Sequence, residues 1–259
     1  MTSTIGNTYL KAFEDPDFMN RDELRSVRLQ TELLKPELIM EDERVLSTVC
    51  VFGSARTLSP TDAQTLLTDA RKAAESDPDS AELQAAVARA EKRVVRSHDY
   101  AVARGFGARM SQFGQTTGAL EYVICTGGGP GIMEAANRGA ADVEAKSIGL
   151  NIMLPHEQEP NRYVSPELNF LFRYFSIRKM HFLLRAKALC AFPGGYGTID
   201  ELFETLTLIQ TRKTLCIPVV LFNREFWETL INWDYFVETE VISPEDLDLL
   251  TYCETPQEA

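Results

Sequence analysis

Three short apolar runs in this chain each stop at a glycine turn, and that repetition constrains the fold more than any other feature. Residues 188–192 run into Pro193-Gly194-Gly195-Tyr196-Gly197, and an amphipathic helical pattern follows from Thr198 to Gln210. Residues 122–125 run into Thr126-Gly127-Gly128-Gly129-Pro130-Gly131, followed by a helical pattern over 132–144. Residues 47–52 end in Gly53-Ser54-Ala55-Arg56. Strand, glycine turn and helix start make a parallel βα unit, and several such units place their turns in one crevice at the carboxyl edge of the sheet. The first N–H groups of each helix lack partners there and the helix dipole is positive, so the crevice favours an anion.

The rest of the chain follows the same alternation. Strands are expected at 148–154, 169–174 and 217–222, and helices at 176–186 and 225–236, the last with both tryptophans. This predicts an α/β fold: a doubly wound, Rossmann-like parallel sheet in a single domain over 45–237. Residues 1–44 are charged and helix-tending, which predicts a helical N-terminal extension. An Ala-, Arg- and Glu-rich stretch over about 59–104 is broken by Ser76-Asp77-Pro78-Asp79-Ser80, which predicts a helical insert of two helices. Residues 238–259 carry seven acidic side chains and no Lys or Arg, the composition of a solvated acidic tail.

Charge and cysteine usage narrow the function classes. The net charge of −12 argues against nucleic acid or an anionic membrane surface as partner. No apolar run approaches the length of a membrane span, and the N-terminus lacks a basic region followed by an apolar one. The five cysteines (50, 125, 190, 216, 253) form no CxxC pair and mostly sit in apolar runs, as small buried hydrophobes in a reduced compartment. The cytoplasm is therefore expected. His98, His156 and His181 have no ligand spacing, so no metal site and no cofactor are expected.

Standard nucleotide fingerprints are missing. Ile132 stands where G-x-G-x-x-G needs its third glycine, and no G-x-x-x-x-G-K-[ST] occurs. A smaller phosphorylated ligand fits better, with local positive charge available at Arg173, Arg178 and Lys179. Glu201, expected in the first helical turn after the 193–197 loop, puts a carboxylate beside that anion, although an acid is favoured at any helix start. Glu134, after the triple-glycine turn, reads as a plain first-turn acid. Phe170, Phe172, Tyr174 and Phe175 read as a base-stacking platform or as core.

The pair GGGPGIMEAANRGA (127–140) and PGGYGTIDE (193–201), with Arg178-Lys179 upstream of the second, resembles the LONELY GUY family. Those proteins are cytokinin riboside 5′-monophosphate phosphoribohydrolases, long labelled as lysine decarboxylases. The resemblance runs over roughly 45–233, with Gly53-Ser54 in the place of the family's first strand-end loop. The N-terminal extension and the helical insert are similar to the longer bacterial members. The resemblance implies hydrolysis of the N-glycosidic bond of a nucleoside 5′-monophosphate, AMP or an N6-modified AMP, to free base and ribose 5-phosphate. It implies Arg178 and Glu201 as catalytic residues. Gly53, Ser54, Gly128, Gly129, Glu134, Lys179, Gly194, Gly195, Gly197 and Thr198 would then hold substrate and phosphate. A homodimer or higher homo-oligomer is implied too. A carboxylate near the anomeric carbon suits an oxocarbenium-like transition state, and an arginine fork suits ribose or phosphate. The competing reading is a non-catalytic nucleotide or cofactor carrier on the same fold. Lysine decarboxylation would need a Schiff-base lysine in a pyridoxal phosphate pocket, and nothing around Lys179 marks one.

Overall fold

The computed structural model describes residues 7–115, 118, 120–155 and 159–259. Among them, one seven-stranded sheet is formed by β1 (Thr48–Phe52), β2 (Val123–Thr126), β3 (Ser147–Ile152), β4 (Asn169–Phe172), β5 (Ala186–Ala191), β6 (Val219–Phe222) and β7 (Leu250–Cys253). The order is β4-β3-β2-β1-β5-β6-β7, with every neighbouring pair parallel. The chain winds outward from β1 to β4, then crosses back to lay down β5 to β7 on the other side. This is the doubly wound α/β sheet the sequence predicts, and its direction reverses between β1 and β5.

The helices follow in chain order: α1 (Pro16–Met19), α2 (Arg25–Asp42), α3 (Pro60–Ser76), α4 (Ala81–Gly114), α5 (Ile132–Asp142), α6 (Phe175–Leu184), α7 (Tyr196–Gln210), α8 (Arg224–Leu230) and α9 (Trp233–Glu238). All five residues of β1 are buried, because a central parallel strand is covered on both faces. Its period-two alternation sends Val49 and Val51 to a layer with Tyr100 and Phe106 of α4 and Ile132 of α5. Cys50 and Phe52 face the opposite layer, with Phe182 of α6, Leu202 of α7 and Trp227 of α8. The helical pair predicted after β1 forms as expected. Ser59 caps α3 by accepting from Asp62 N–H, and Ser80 starts α4 after the Pro78 break.

Three expectations change. The helix expected over 225–236 is two helices, because Asn232 turns away from the helix and accepts from Tyr235 N–H as a new N-cap. The expected strand at 217–222 starts only at Val219, since Pro218 has no N–H for the ladder. The segment read as a solvated acidic tail contributes β7, which pairs with β6 from Leu250 to Cys253 and buries Cys253. Three of its seven acidic residues, Glu245, Asp246 and Asp248, lie in the preceding 3₁₀ turn, where Ser243 and Asp246 form a capping box.

The N-terminal segment is tied to the domain. Glu32 of α2 accepts from Arg173 N–H (2.9 Å) and Tyr174 N–H (3.1 Å) at the start of α6, and Arg28 Nε donates to Tyr174 Oη (3.1 Å). Glu37 pairs with Arg185 at the other end of α6. Glu32→Ala should therefore destabilise the protein by about 1–2 kcal/mol through two orphaned N–H groups. A lowered thermal midpoint checks this, and an unchanged one shows that α2 merely lies against α6.

Candidate active site

Ser54, at the end of β1, knots the three glycine turns together. Its N–H donates to Pro193 O (3.0 Å) and its carbonyl accepts from Ile132 N–H (3.1 Å). Its hydroxyl accepts from Arg56 N–H (3.1 Å). Gly131 sits at φ 73°, and a Cβ there would collide with the Ser54 carbonyl oxygen. The turns after β1, β2 and β5 thus form one floor at the carboxyl edge of the sheet, beside the switch point.

A cavity of about 910 Å³ opens on this floor. Gly53, Ser54, Gly194, Gly195, Gly197 and Thr198 line it together with Arg178 and Glu201, so eight of the sequence-predicted residues meet there. Among the described residues, nothing beyond the adjoining chain lies within 4 Å of where a Cβ would project from Gly195 or Gly197, which leaves the helix start open for a ligand.

Arg178 lies in the first turn of α6 and reaches back to the sheet. Its Nε donates to Leu150 O at 2.6 Å, and its guanidinium carbon stands 4.9 Å from the centroid of the Phe182 ring. Gly127 makes room for the fork, because a Cβ there would lie 2.6 Å from Nη2. Burial pulls the Arg178 pKa down, against the opposing pull of Glu201, yet guanidinium remains charged at any working pH.

Glu201 is not in the first turn. α7 begins at Tyr196, two residues before the pattern predicts, so Glu201 falls in the second turn. The helix-start preference for acids does not explain it there. Glu201 is 6% exposed, and its carboxylate makes no hydrogen bond among the described residues. Burial pushes its pKa up to about 7, opposed by the cations Lys179 and Arg178 and reinforced by Glu204 and Asp200. A carboxyl balanced near neutrality in a cleft has the character of a reacting group.

Four predicted residues stand apart from this wall. Lys179 points to α7, pairing with Asp200 (3.0 Å) and Glu204 (2.7 Å), so it fastens α6 to α7. Glu134 accepts from Tyr100 Oη (2.8 Å) behind the β2 turn. The carbonyls of Gly128 and Gly129 accept from Asn161, which fastens that turn from the outside. Of the aromatic segment, Phe170 and Phe172 are core, Tyr174 pairs with Arg28, and Phe175 alone lines the cavity. His98 and His181 belong to no metal-binding group among the described residues, and His156 lies outside them. Sequence reasoning missed Met133, Phe226 and four cations of α4, Arg89, Lys92, Arg93 and Arg96, on the cavity wall. The spacing i, i+3, i+4, i+7 of those cations was the available signal.

Residues 133–259, which carry Arg178 and Glu201, match the family model described as "Possible lysine decarboxylase". A stretch of 135 residues is 30% identical to the "Pyrimidine/purine nucleotide 5′-monophosphate nucleosidase" of Escherichia coli K12, covering 49% of this chain and 28% of that protein. Another of 86 residues is 36% identical to the "Probable cytokinin riboside 5′-monophosphate phosphoribohydrolase" of Oryza sativa subsp. japonica, covering 31% of this chain and 33% of that one. The chain thus spans about a third or less of the curated relatives it matches. The molybdenum cofactor binding protein of Rippkaea orientalis aligns at 22% identity over 62% of this chain and 83% of its own, with a TM-score of 0.44. At that score the likeness bears on neither fold nor function. The family's printed description does not suit the site. Lys179 is held charged by two carboxylates, and Lys92 on the cavity wall is solvent-exposed, so neither is the desolvated amine a Schiff base needs.

Proposed function

We propose that this protein hydrolyses the N-glycosidic bond of a nucleoside 5′-monophosphate, AMP or an N6-modified AMP, releasing free base and ribose 5-phosphate. The observation that carries the reading is the Glu201 carboxyl: buried, without a hydrogen-bond partner among the described residues, and in the same cavity as the Arg178 fork, where burial pushes its pKa up to about 7. The names of the relatives point the same way. The bare start of α7 at Gly195–Gly197 takes the 5′-phosphate through unpaired N–H groups. Arg178, anchored through Nε on the Leu150 carbonyl, keeps Nη1 and Nη2 to orient the ribose. Glu201, ionised, stands against the positive charge that grows at the anomeric carbon as the base departs. Water adds at that carbon as the bonding pair leaves with the base; Glu201 takes the water's proton and gives it up to solvent, while the departing base nitrogen gains a proton from solvent.

The protein is further proposed to act in the cytoplasm as a homodimer or higher homo-oligomer. Five free cysteines, four of them buried, support a reducing compartment. Among the described residues no helix is long and apolar enough to cross a membrane. Leu171, Met180 and Leu184, exposed on β4 and α6, supply apolar surface for a second copy.

Chromatography of purified protein incubated with AMP and with adenosine tests the activity. Base release from AMP should exceed that from adenosine by at least ~10²-fold, because only AMP brings the anion that the helix start holds. Equal turnover of the two removes the phosphate assignment. Tight AMP binding with no base released turns the reading toward a carrier.

A further inference from the structure

The wall that α4 presents to the cavity has a charge the proposed reaction does not use. Arg89, Lys92, Arg93 and Arg96 all line the cavity and all are exposed. Their spacing places them on one helical face. None of them takes part in an ion pair among the described residues, whereas Glu91 beside them pairs with Arg71 of α3 at 2.9 Å. Asp99, three residues beyond Arg96, is buried and accepts from Asn223 Nδ2 at 3.3 Å, which marks the inner end of the stripe.

Four like charges within two turns repel one another, and among the described residues the carboxylate of Asp99, beside Arg96 on the same cavity wall, offsets them only at the inner end. This is notable in a chain whose net charge is −12. The stripe covers about 10 Å at 1.5 Å per residue, more than one phosphate group reaches. The glycine turn before α7, proposed above to hold the 5′-phosphate, lines the same cavity. At about 910 Å³ the cavity is near the top of the roughly 300–1,000 Å³ range of whole ligand sites.

We infer that the α4 face is a second phosphate subsite. The ligands this cavity binds most tightly are then nucleotides with a phosphate group beyond the 5′-monophosphate. The inference rests on the reading above that the glycine turn takes a nucleotide phosphate, and it adds the insert helix α4 to the site as its specificity wall. Arginine suits the role, since its fork meets phosphate oxygens two at a time and stays charged.

Calorimetric titration of the full chain with AMP, ADP and adenosine 3′,5′-bisphosphate provides the test. ADP or the bisphosphate should bind at least ~10-fold tighter than AMP at low salt, and the advantage should shrink as salt rises. In Arg93→Ala/Arg96→Ala the ratio should fall to about one, with AMP affinity within about threefold of the original. Arg93→Lys/Arg96→Lys should retain most of the ratio, because lysine still binds phosphate as a point charge. The two arms with a second phosphate tell a 5′-diphosphate from a 3′,5′ arrangement. The inference is overturned if neither ligand binds tighter than AMP, or if the advantage survives in the double alanine variant. Displacement of ADP by a short single-stranded oligonucleotide that binds more tightly also overturns it. AMP that binds but releases no base removes the hydrolytic reading and leaves these affinity ratios standing.

Discussion

Glu201→Gln should slow base release from AMP by ~10²–10⁴-fold while making the protein more stable at pH 8. Glutamine keeps the size of the side chain but not the charge that stands against the oxocarbenium-like carbon. The stability gain follows from the direction of the pKa shift. Burial holds the Glu201 carboxyl at about 7, above its ordinary 4.5, so the folded protein keeps a proton that the unfolded chain has lost. Ionising it in place therefore costs stability progressively from about pH 4.5 to 7, and the whole penalty is present above that window. At about 1.4 kcal/mol per pKa unit the penalty is about 3 kcal/mol, which glutamine does not incur. Thermal melts should show the variant ahead of the wild type at pH 8 and level with it near pH 4.5. The wild-type kcat/KM should rise with pH through about 7 as the carboxylate forms. A folded Glu201→Gln protein with wild-type kcat would return Glu201 to a structural role.

Arg178→Lys should be nearly as damaging as Arg178→Ala, with kcat/KM down by ~10²-fold or more. The guanidinium is held at two places on the cavity wall, by Nε on Leu150 O and by its face over Phe182. Lysine brings one charge on a flexible stem and cannot occupy both anchor and fork. Neighbouring Lys179 cannot take over, because it is turned to Asp200 and Glu204 of α7. Steady-state kinetics on AMP decide the matter: unchanged kcat and KM in Arg178→Lys would place Arg178 outside the reaction.

The parts of the site that lie next to one another along the chain were legible before the fold was known. The turns at 53–54 and 194–198 announced themselves because a glycine cluster after an apolar run has a local, backbone cause. Their meeting in one crevice followed from the rules of parallel α/β sheets. Lys179 misled because adjacent charges look alike in a sequence. Only the packing of α6 against α7 separates Arg178, facing the cavity, from Lys179, facing two carboxylates. Glu134 misled in the same way, since the direction of a first-turn acid depends on which helix lies across from it. Here that helix is α4, through Tyr100.

The sequence by itself determined the alternation of strands and helices, the doubly wound sheet, the glycine floor and the pairing of Arg178 with Glu201 as candidates. All of these arise from local periodicity and turn chemistry, or from motifs carried by short segments. Tertiary structure alone decided what depends on contacts between distant segments. The acidic C-terminal segment becomes an edge strand because β6 offers it a free ladder. The start of α7 at Tyr196 takes Glu201 out of the first turn, and the layers packed over it bury its carboxyl and bring it near neutrality. The insert helix α4 turns a row of ordinary surface cations into one wall of the cavity. Desolvation and electrostatic fields are properties of a packed neighbourhood, and one chain position does not specify its neighbours until the sheet has assembled.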